Sequence, residues 1–144
     1  MAFGRNMSTV FDDPDDVRTI ILPKMVRTVR QGSFCKVQQL RVAVLNEGLE
    51  ILRTDEYQPD GKWYSGAFQE RGLRRVRLPS TLKRIEYITF RDCKRLGSID
   101  LPEKLEYIGI GCFQKSALAS IRLPGTLKTI RDNAFSKCAD LKSV

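Results

Sequence analysis

Residues 96–118, LGSIDLPEKLEYIGIGCFQKSAL, decide the fold of this chain, because their spacing of apolar residues returns on both sides of them. Counting Leu96 as slot 1, apolar side chains fall at slots 1, 4, 6, 10, 13 and 18: Leu96, Ile99, Leu101, Leu105, Ile108 and Phe113. Leu73, Val76, Leu78, Leu82, Ile85 and Phe90 repeat the pattern upstream, and Leu118, Ile121, Leu123, Leu127, Ile130 and Phe135 repeat it downstream. Val17, Ile20, Leu22, Val26, Val29 and Phe34 make the earliest copy. In the copy after it, Leu40, Ala43, Leu45, Leu49 and Leu52 fit directly, and Phe68 fits once an insertion at 54–64 is skipped. The slot-1 residues Val17, Leu40, Leu73, Leu96, Leu118 and Leu141 are 23, 33, 23, 22 and 23 residues apart, so only the insertion breaks the period. Thirty slots hold thirty apolar residues, which at 42% apolar content chance delivers on the order of once in 10^11 trials.

Slots 1, 4 and 6 read as a short strand whose side chains at 4 and 6 point inward, since strand side chains alternate faces. Proline follows at Pro23, Pro79, Pro102 and Pro124, with Asn46 in the insertion-bearing copy. Proline lacks the N–H a central strand needs, so it marks the end of the ladder. Slots 10 and 13 return along an opposite wall, and the slot-18 phenylalanine fills the space before the next coil begins. A single coil cannot bury its apolar side, but stacked coils share one core and set their strands side by side in a parallel sheet. At roughly 4.8 Å between strands, five coils make a sheet about 24 Å tall.

The stretches LRRVRLPSTLKRIEYITFRDCKRL (73–96), LGSIDLPEKLEYIGIGCFQKSAL (96–118) and LASIRLPGTLKTIRDNAFSKCADL (118–141) resemble leucine-rich repeats of the BspA-like type. That type carries a Leu-x-x-Ile-x-Leu-Pro strand, then an Ile, an Ala-Phe pair and a Cys. The resemblance covers residues 17–144. The first unit departs from it with Cys35 directly after Phe34, and the second, LRVAVLNEGLEIL (40–52), lacks the proline. It implies a right-handed leucine-rich-repeat solenoid of the α/β horseshoe class, rich in short strands, with little regular helix and a parallel sheet on one face. It further implies a role in adhesion or protein recognition and supplies no catalytic residue.

The expected layout is a leader or cap at 1–16, then repeats at 17–39, 40–72 with the 54–64 insertion, 73–95, 96–117 and 118–140, and a truncated sixth at 141–144. The leader holds four aspartates around Pro14, and Phe3, Val10 and Phe11 offer either a cover for the first rung or part of a disordered tail. At the other end, Leu141–Val144 are slots 1 to 4 of a sixth unit, which implies a fragment of a longer array or end-to-end association with another copy. No stretch reaches the eighteen apolar residues of a membrane span, and the N-terminus lacks the apolar core of a secretory signal. That points to the cytoplasm, whereas the family resemblance points to the cell surface.

The chain has no histidine and four cysteines, Cys35, Cys93, Cys112 and Cys138. Without histidine the usual base for a serine or cysteine nucleophile is missing, and no carboxylate or thiol cluster has metal-ligand spacing. Cys93 and Cys138 share slot 21 but lie two rungs apart, about 10 Å, beyond the roughly 7 Å limit for a bridge. Small buried thiols are expected instead. Gly109-Ile110-Gly111 lacks the third glycine and the strand–helix setting of a dinucleotide site, and reads as a turn. An enzyme, a cofactor and a metal site are not expected.

Recognition is left to residues that project outward. Slots 3 and 5 hold Thr19 and Ile21, Val42 and Val44, Arg75 and Arg77, Ser98 and Asp100, Ser120 and Arg122, with Arg18, Arg41 and Arg74 at slot 2. Ile21, Val42 and Val44 beside Arg74, Arg75 and Arg77, with Arg122 further along, make a mixed apolar and cationic patch suited to a protein partner, unless the leader folds over it. The insertion is the second candidate, because Tyr57, Trp63 and Tyr64 are types that dominate interface energy; a lid of Trp63 on Phe68 is the alternative. A net charge of +8, with nine Lys or Arg against two acids in residues 71–95, offers a rival class, a basic nucleic-acid or acidic-surface binder. Those charges spread around the rung and no aromatic residues interleave to stack bases, so a protein partner is the expectation.

Overall fold

In a computed structural model, which describes residues 2–3, 18–30, 32–34, 37–53, 66–69 and 72–143, every rung turns first at slot 7. There the slot-10 N–H closes on the slot-7 carbonyl: Val26 on Pro23, Leu49 on Asn46, Leu82 on Pro79, Leu105 on Pro102 and Leu127 on Pro124, at 3.1–3.3 Å. The turn uses the carbonyl of its first residue and not the N–H, so proline costs nothing there. Asn46 serves the same turn and adds a staple: its buried side-chain Nδ2 donates to the Val26 carbonyl at 2.7 Å and the Lys24 carbonyl at 3.3 Å on the rung below. Thr81 and Thr126 act similarly, donating to the carbonyls of Leu49 at 2.8 Å and Leu105 at 2.9 Å.

Nine strands are found among the described residues: β1 (Ala2–Phe3), β2 (Thr19–Ile21), β3 (Thr28–Val29), β4 (Val42–Val44), β5 (Ile51–Leu52), β6 (Arg75–Arg77), β7 (Arg84–Ile85), β8 (Tyr107–Ile108) and β9 (Thr129–Ile130). The strand expected over slots 1–6 is present in the first three rungs, at slots 3–5, where β2, β4 and β6 pair in parallel with Thr19, Val42 and Arg75 in register. It does not continue through five rungs. Ser98–Asp100 and Ser120–Arg122 fall outside any strand, apart from an isolated bridge between Ser120 and Ser143. At the fourth rung the composition supplies the reason: Thr19, Ile20, Ile21, Val42, Val44 and Val76 are β-branched, whereas Gly97 and Asp100 are types depleted in strands.

The opposite wall carries the longer sheet, in the order β1-β3-β5-β7-β8-β9, all parallel. Each rung contributes slots 12 and 13, and Ala2–Phe3 of the leader pair with Thr28–Val29 at the sheet's N-terminal edge. The rest of the leader lies outside the described residues. Side chains at slot 11 alternate in charge from rung to rung: Arg27, Glu50, Lys83, Glu106 and Lys128. Lys83 pairs with Glu50 and Lys128 with Glu106, each at 3.2 Å.

The third wall has no strand. In the third and fourth rungs its N–H groups at slots 16, 18 and 20 donate to the next rung's carbonyls at slots 15, 17 and 19, for example Ile88 to Ile110, Phe90 to Cys112 and Asp92 to Gln114, at 2.8–2.9 Å, as Phe68 does to Thr89. All these inter-rung bonds run one way. The wall bends through left-handed residues at slot 16 (Gly32, Ile88, Gly111, Asn133) and slot 20 (Asp92, Lys115, Lys137), with φ between 45° and 66°. Such a backbone is strained for a β-branched residue. Ile88 adopts it at φ 45° with its side chain buried and its N–H bonded. Gly109-Ile110-Gly111 is a turn, as its spacing predicts: Gly111 has φ 60°, and a Cβ on Gly109 would meet the Glu86 carbonyl carbon at 2.6 Å.

Inside, the slot-18 rings form one column. Phe34, Phe68, Phe90, Phe113 and Phe135 stack with centroids 4.7, 5.5, 5.5 and 5.4 Å apart and planes within 16° of parallel. The first four are fully buried. Other described slots are buried or half-buried, except Ile130 in the fifth rung, 44% exposed. The thiols of Cys93 and Cys112 are buried and that of Cys138 half-buried; none of the three is in a disulfide, and Cys35 lies outside the described residues. At slot 21, Cys93 Sγ donates to the Phe68 carbonyl at 3.2 Å and Cys138 Sγ to that of Phe113 at 3.1 Å.

Replacing Phe113 by Ala removes a ring stacked on both sides and should cost about 3–5 kcal/mol, whereas Phe135→Ala should cost less; urea denaturation compares the two. Burial pushes the Cys112 thiol well above its ordinary value of 9.0, so the fold favours the neutral form. Its contribution to stability is therefore complete below that value and is lost as pH rises past it. In a Cys35→Ser background, Cys112 should resist a thiol reagent until the chain unfolds, and Cys112→Ala should flatten the alkaline loss of stability; mass-spectrometric labelling and melts at pH 8–11 read both out.

Candidate partner-binding face

The strand wall of the first three rungs gathers the residues singled out by their outward slots. Ile21 is 71% exposed, and Val42 and Val44, beside it in register, are half-buried. Arg74, Arg75 and Arg77 follow on the third rung, exposed, and make no side-chain hydrogen bond or ion pair among the described residues. Arg122 lies two rungs on and is spoken for: its guanidinium pairs with Glu103, which raises its pKa through that hydrogen bond and charge. Arg41 is held back as well, donating to the Leu40 carbonyl and to Gln39 Oε1 at 3.1 Å each.

Beside Arg77 stands Glu47. Its carboxylate accepts the Ser80 backbone N–H at 3.0 Å and the Ser80 hydroxyl at 2.7 Å, and these bonds, more than the Arg77 charge, lower its pKa. The pairing ties the second turn to the third without engaging the Arg77 head group.

Where the strand ladder stops, a groove of about 440 Å³ runs over β6, with Val42–Val44 on one side and Ser98–Asp100 on the other. A second, of about 280 Å³, separates Ser98–Leu101 from Ser120–Arg122. Among the described residues no backbone hydrogen bond joins β6 to Ser98–Asp100. Val76 and Leu78, the inward slots 4 and 6 of the third rung, are half-buried, while Ile20, Leu22, Ala43 and Leu45 on the preceding rungs and Ile99 and Leu101 on the next are buried. The outward-slot reading missed this groove. The run Gly97, Ser98, Asp100 was the available signal.

The basic band at 71–95 disperses. Lys83 pairs with Glu50, Arg91 with Asp92 at 3.3 Å, and Arg84 with Glu86 at 3.0 Å while its guanidinium lies 3.9 Å from the Tyr107 ring centroid. Tyr57, Trp63 and Tyr64 of the insertion lie outside the described residues. Among the described residues no three Cys, Asp or Glu side chains group as metal ligands, and no helix is long and apolar enough to cross a membrane.

Short parallel strands stacked rung on rung, with side-chain columns between them, define a leucine-rich-repeat solenoid. The chain belongs to the BspA-type leucine-rich-repeat family: the profile described as BspA type leucine rich repeat region (6 copies) matches residues 62–144, more than half of it. Solved structures agree on the fold. A leucine-rich repeat protein of T. pallidum superimposes with a TM-score of 0.71 at 25% identity, over 85% of this chain and 56% of that one. A leucine-rich cell surface protein of Faecalibacterium prausnitzii A2-165 gives 0.69 at 21% identity, over 88% of this chain and 31% of its own. The pneumococcal vaccine antigen PcpA gives 0.69 at 23%, over 88% and 29%. The chain thus spans little more than half, or less, of these relatives. No curated protein matches it.

Replacing Ser80 by Ala should raise the Glu47 pKa back toward its ordinary 4.5. A lowered carboxyl pKa stabilises the fold above that value, and the contribution disappears as pH falls through the native pKa. The variant should therefore lose less stability than the parent between pH 5 and 3, with the Glu47 carboxyl followed by NMR titration.

Proposed function

We propose that this chain is a non-enzymatic scaffold that binds a protein partner through the strand wall of its first three rungs. The observation that carries the reading is the adjacency of exposed Ile21 and the half-buried Val42 and Val44 to three arginines that have no ion-pair partner among the described residues. Apolar side chains in outward strand slots cost solvation when left bare, and arginine is enriched in interface cores. Membership of a repeat family whose structural relatives include a cell surface protein and a vaccine antigen supports a recognition or adhesion role. Tyr57, Trp63 and Tyr64 of the insertion provide a second contact, and Arg122, already paired with Glu103, a lesser one.

Reversing charge at two strand positions tests this. Arg75→Glu with Arg77→Glu should reduce partner retention in a pull-down about tenfold or more, while Lys94→Glu, elsewhere on the third rung, leaves it unchanged and both variants melt like the parent. Unchanged retention by the double variant moves the site elsewhere. Salt separates the chemistries: an apolar protein contact persists from 50 to 200 mM salt, whereas nucleic-acid affinity falls by orders of magnitude, about 10³ for six phosphate contacts.

A further inference from the structure

We propose that the outward face of the strand wall seats an amphipathic α-helix of the partner, laid along the solenoid axis across successive rungs, its contacting face running from apolar to acidic to basic. The inference rests on the strand wall being the recognition surface and names the shape and charge order of what that surface takes. Period, trough and charge each support it.

The period decides between a helix and an extended chain. The strands pair in register, so slot 3 of one rung lies beside slot 3 of the next, and slot 5 beside slot 5, at roughly 4.8 Å. An α-helix lying along the axis advances about 5.4 Å per turn. Its i, i+3 or i+4, and i+7 side chains therefore meet successive rungs one turn to one rung, and the mismatch grows by only about 0.6 Å per rung. An extended chain on the same path repeats its facing side chains every ~6.7 Å and slips by about 2 Å at each rung.

The trough supplies the seat. Slots 3 and 5 form two rows of outward side chains about 6.7 Å apart, with the inward slot 4 between them. The groove of about 440 Å³ over the second to fourth rungs and that of about 280 Å³ over the fourth and fifth share Ser98 and Asp100, so the two make one trough along the axis. A helix about 10 Å across rests on both rows. Ser98 and Ser120, short side chains at slot 3, let it approach closely on the later rungs.

Charge gives the helix its order. Along slot 5 the wall reads Ile21, Val44, Arg77, Asp100 and Arg122. Exposed Ile21 and the half-buried Val42 and Val44 take apolar side chains out of water. One turn on, Arg75 and Arg77, which have no ion pair among the described residues, offer two guanidinium forks to a carboxylate. A further turn on, Asp100 favours a cation. Arg122 is already paired with Glu103 and closes the ordered stretch.

Fluorescence anisotropy on the full chain tests the proposal with a fluorescein-labelled, alanine-based helical peptide that carries two leucines, a glutamate and a lysine at successive turns of one face. The peptide should bind, and a proline at its centre, which breaks the helix, should weaken binding about tenfold or more. Moving the glutamate to the opposite face should weaken it comparably. Arg75→Glu with Arg77→Glu should do the same, and a peptide with lysine in place of the glutamate should recover binding to that variant. Lys94→Glu should leave binding unchanged. Failure of the helical peptide to bind, equal binding of the proline peptide or of single-stranded DNA, or no recovery on exchanging the charges would overturn the proposal. A dimer that sedimentation finds in the parent and not in the double arginine variant would make a second copy the occupant and overturn it too. If the double variant loses a captured protein partner while the helical peptide fails to bind, the strand-wall reading stands and this inference falls. If neither depends on the arginines, both fall.

Discussion

Burial between neighbours holds this molecule up. No rung closes a core by itself: four of the five column phenylalanines are fully buried, and they are so because rings above and below lie about one strand spacing away. The spacing of roughly 4.8 Å set by hydrogen bonds on one wall and the 5.4–5.5 Å that suits offset rings in the column are nearly the same length. Backbone and side chains therefore ask for one rise per rung. Where a neighbour is lacking, the fifth rung shows the effect, with Ile130 exposed and Leu127 and Phe135 only half-buried.

Because two walls and the ring column fix the rise, the remaining wall is free to vary. The slot-12 and slot-13 ladder runs unbroken from β3 to β9, and the third wall bonds each described rung from the second onward to the next. The strand wall can stop pairing between the third and fourth rungs without unstacking the coil. A recognition surface built there changes its outward residues, and even its pairing, at little cost to the core.

Much of this was legible in the sequence. The six apolar slots place the core, and the slot-18 phenylalanines predict their own column, because a residue recurring at one position of a closed coil must meet its copies. The outward arginines and Ile21 were readable by alternation alone. The length of each sheet was not. Slots 3–5 read polar-apolar-polar in the third, fourth and fifth rungs alike, and what ends the pairing after the third is the intrinsic preference of Gly97 and Asp100. The slot-12 strands escape notice for the converse reason: two residues, one of them variable among Thr, Ile, Arg and Tyr, carry too little periodicity to announce a sheet that cooperative stacking then forms.

The one-way bonds of the third wall set the molecule apart from an ordinary sheet. In a parallel ladder donors face both neighbours and their dipoles largely cancel, but here the N–H groups of Phe68, Ile88, Phe90, Asp92, Gly111, Phe113 and Lys115 all point toward the later rungs and the carbonyls that accept them toward the earlier ones. The peptide units add head to tail, as they do along a helix axis. One edge of the solenoid thus behaves as an electrical rod, positive toward its C-terminal rungs and negative toward its N-terminal ones, and each rung added in the same sense lengthens it.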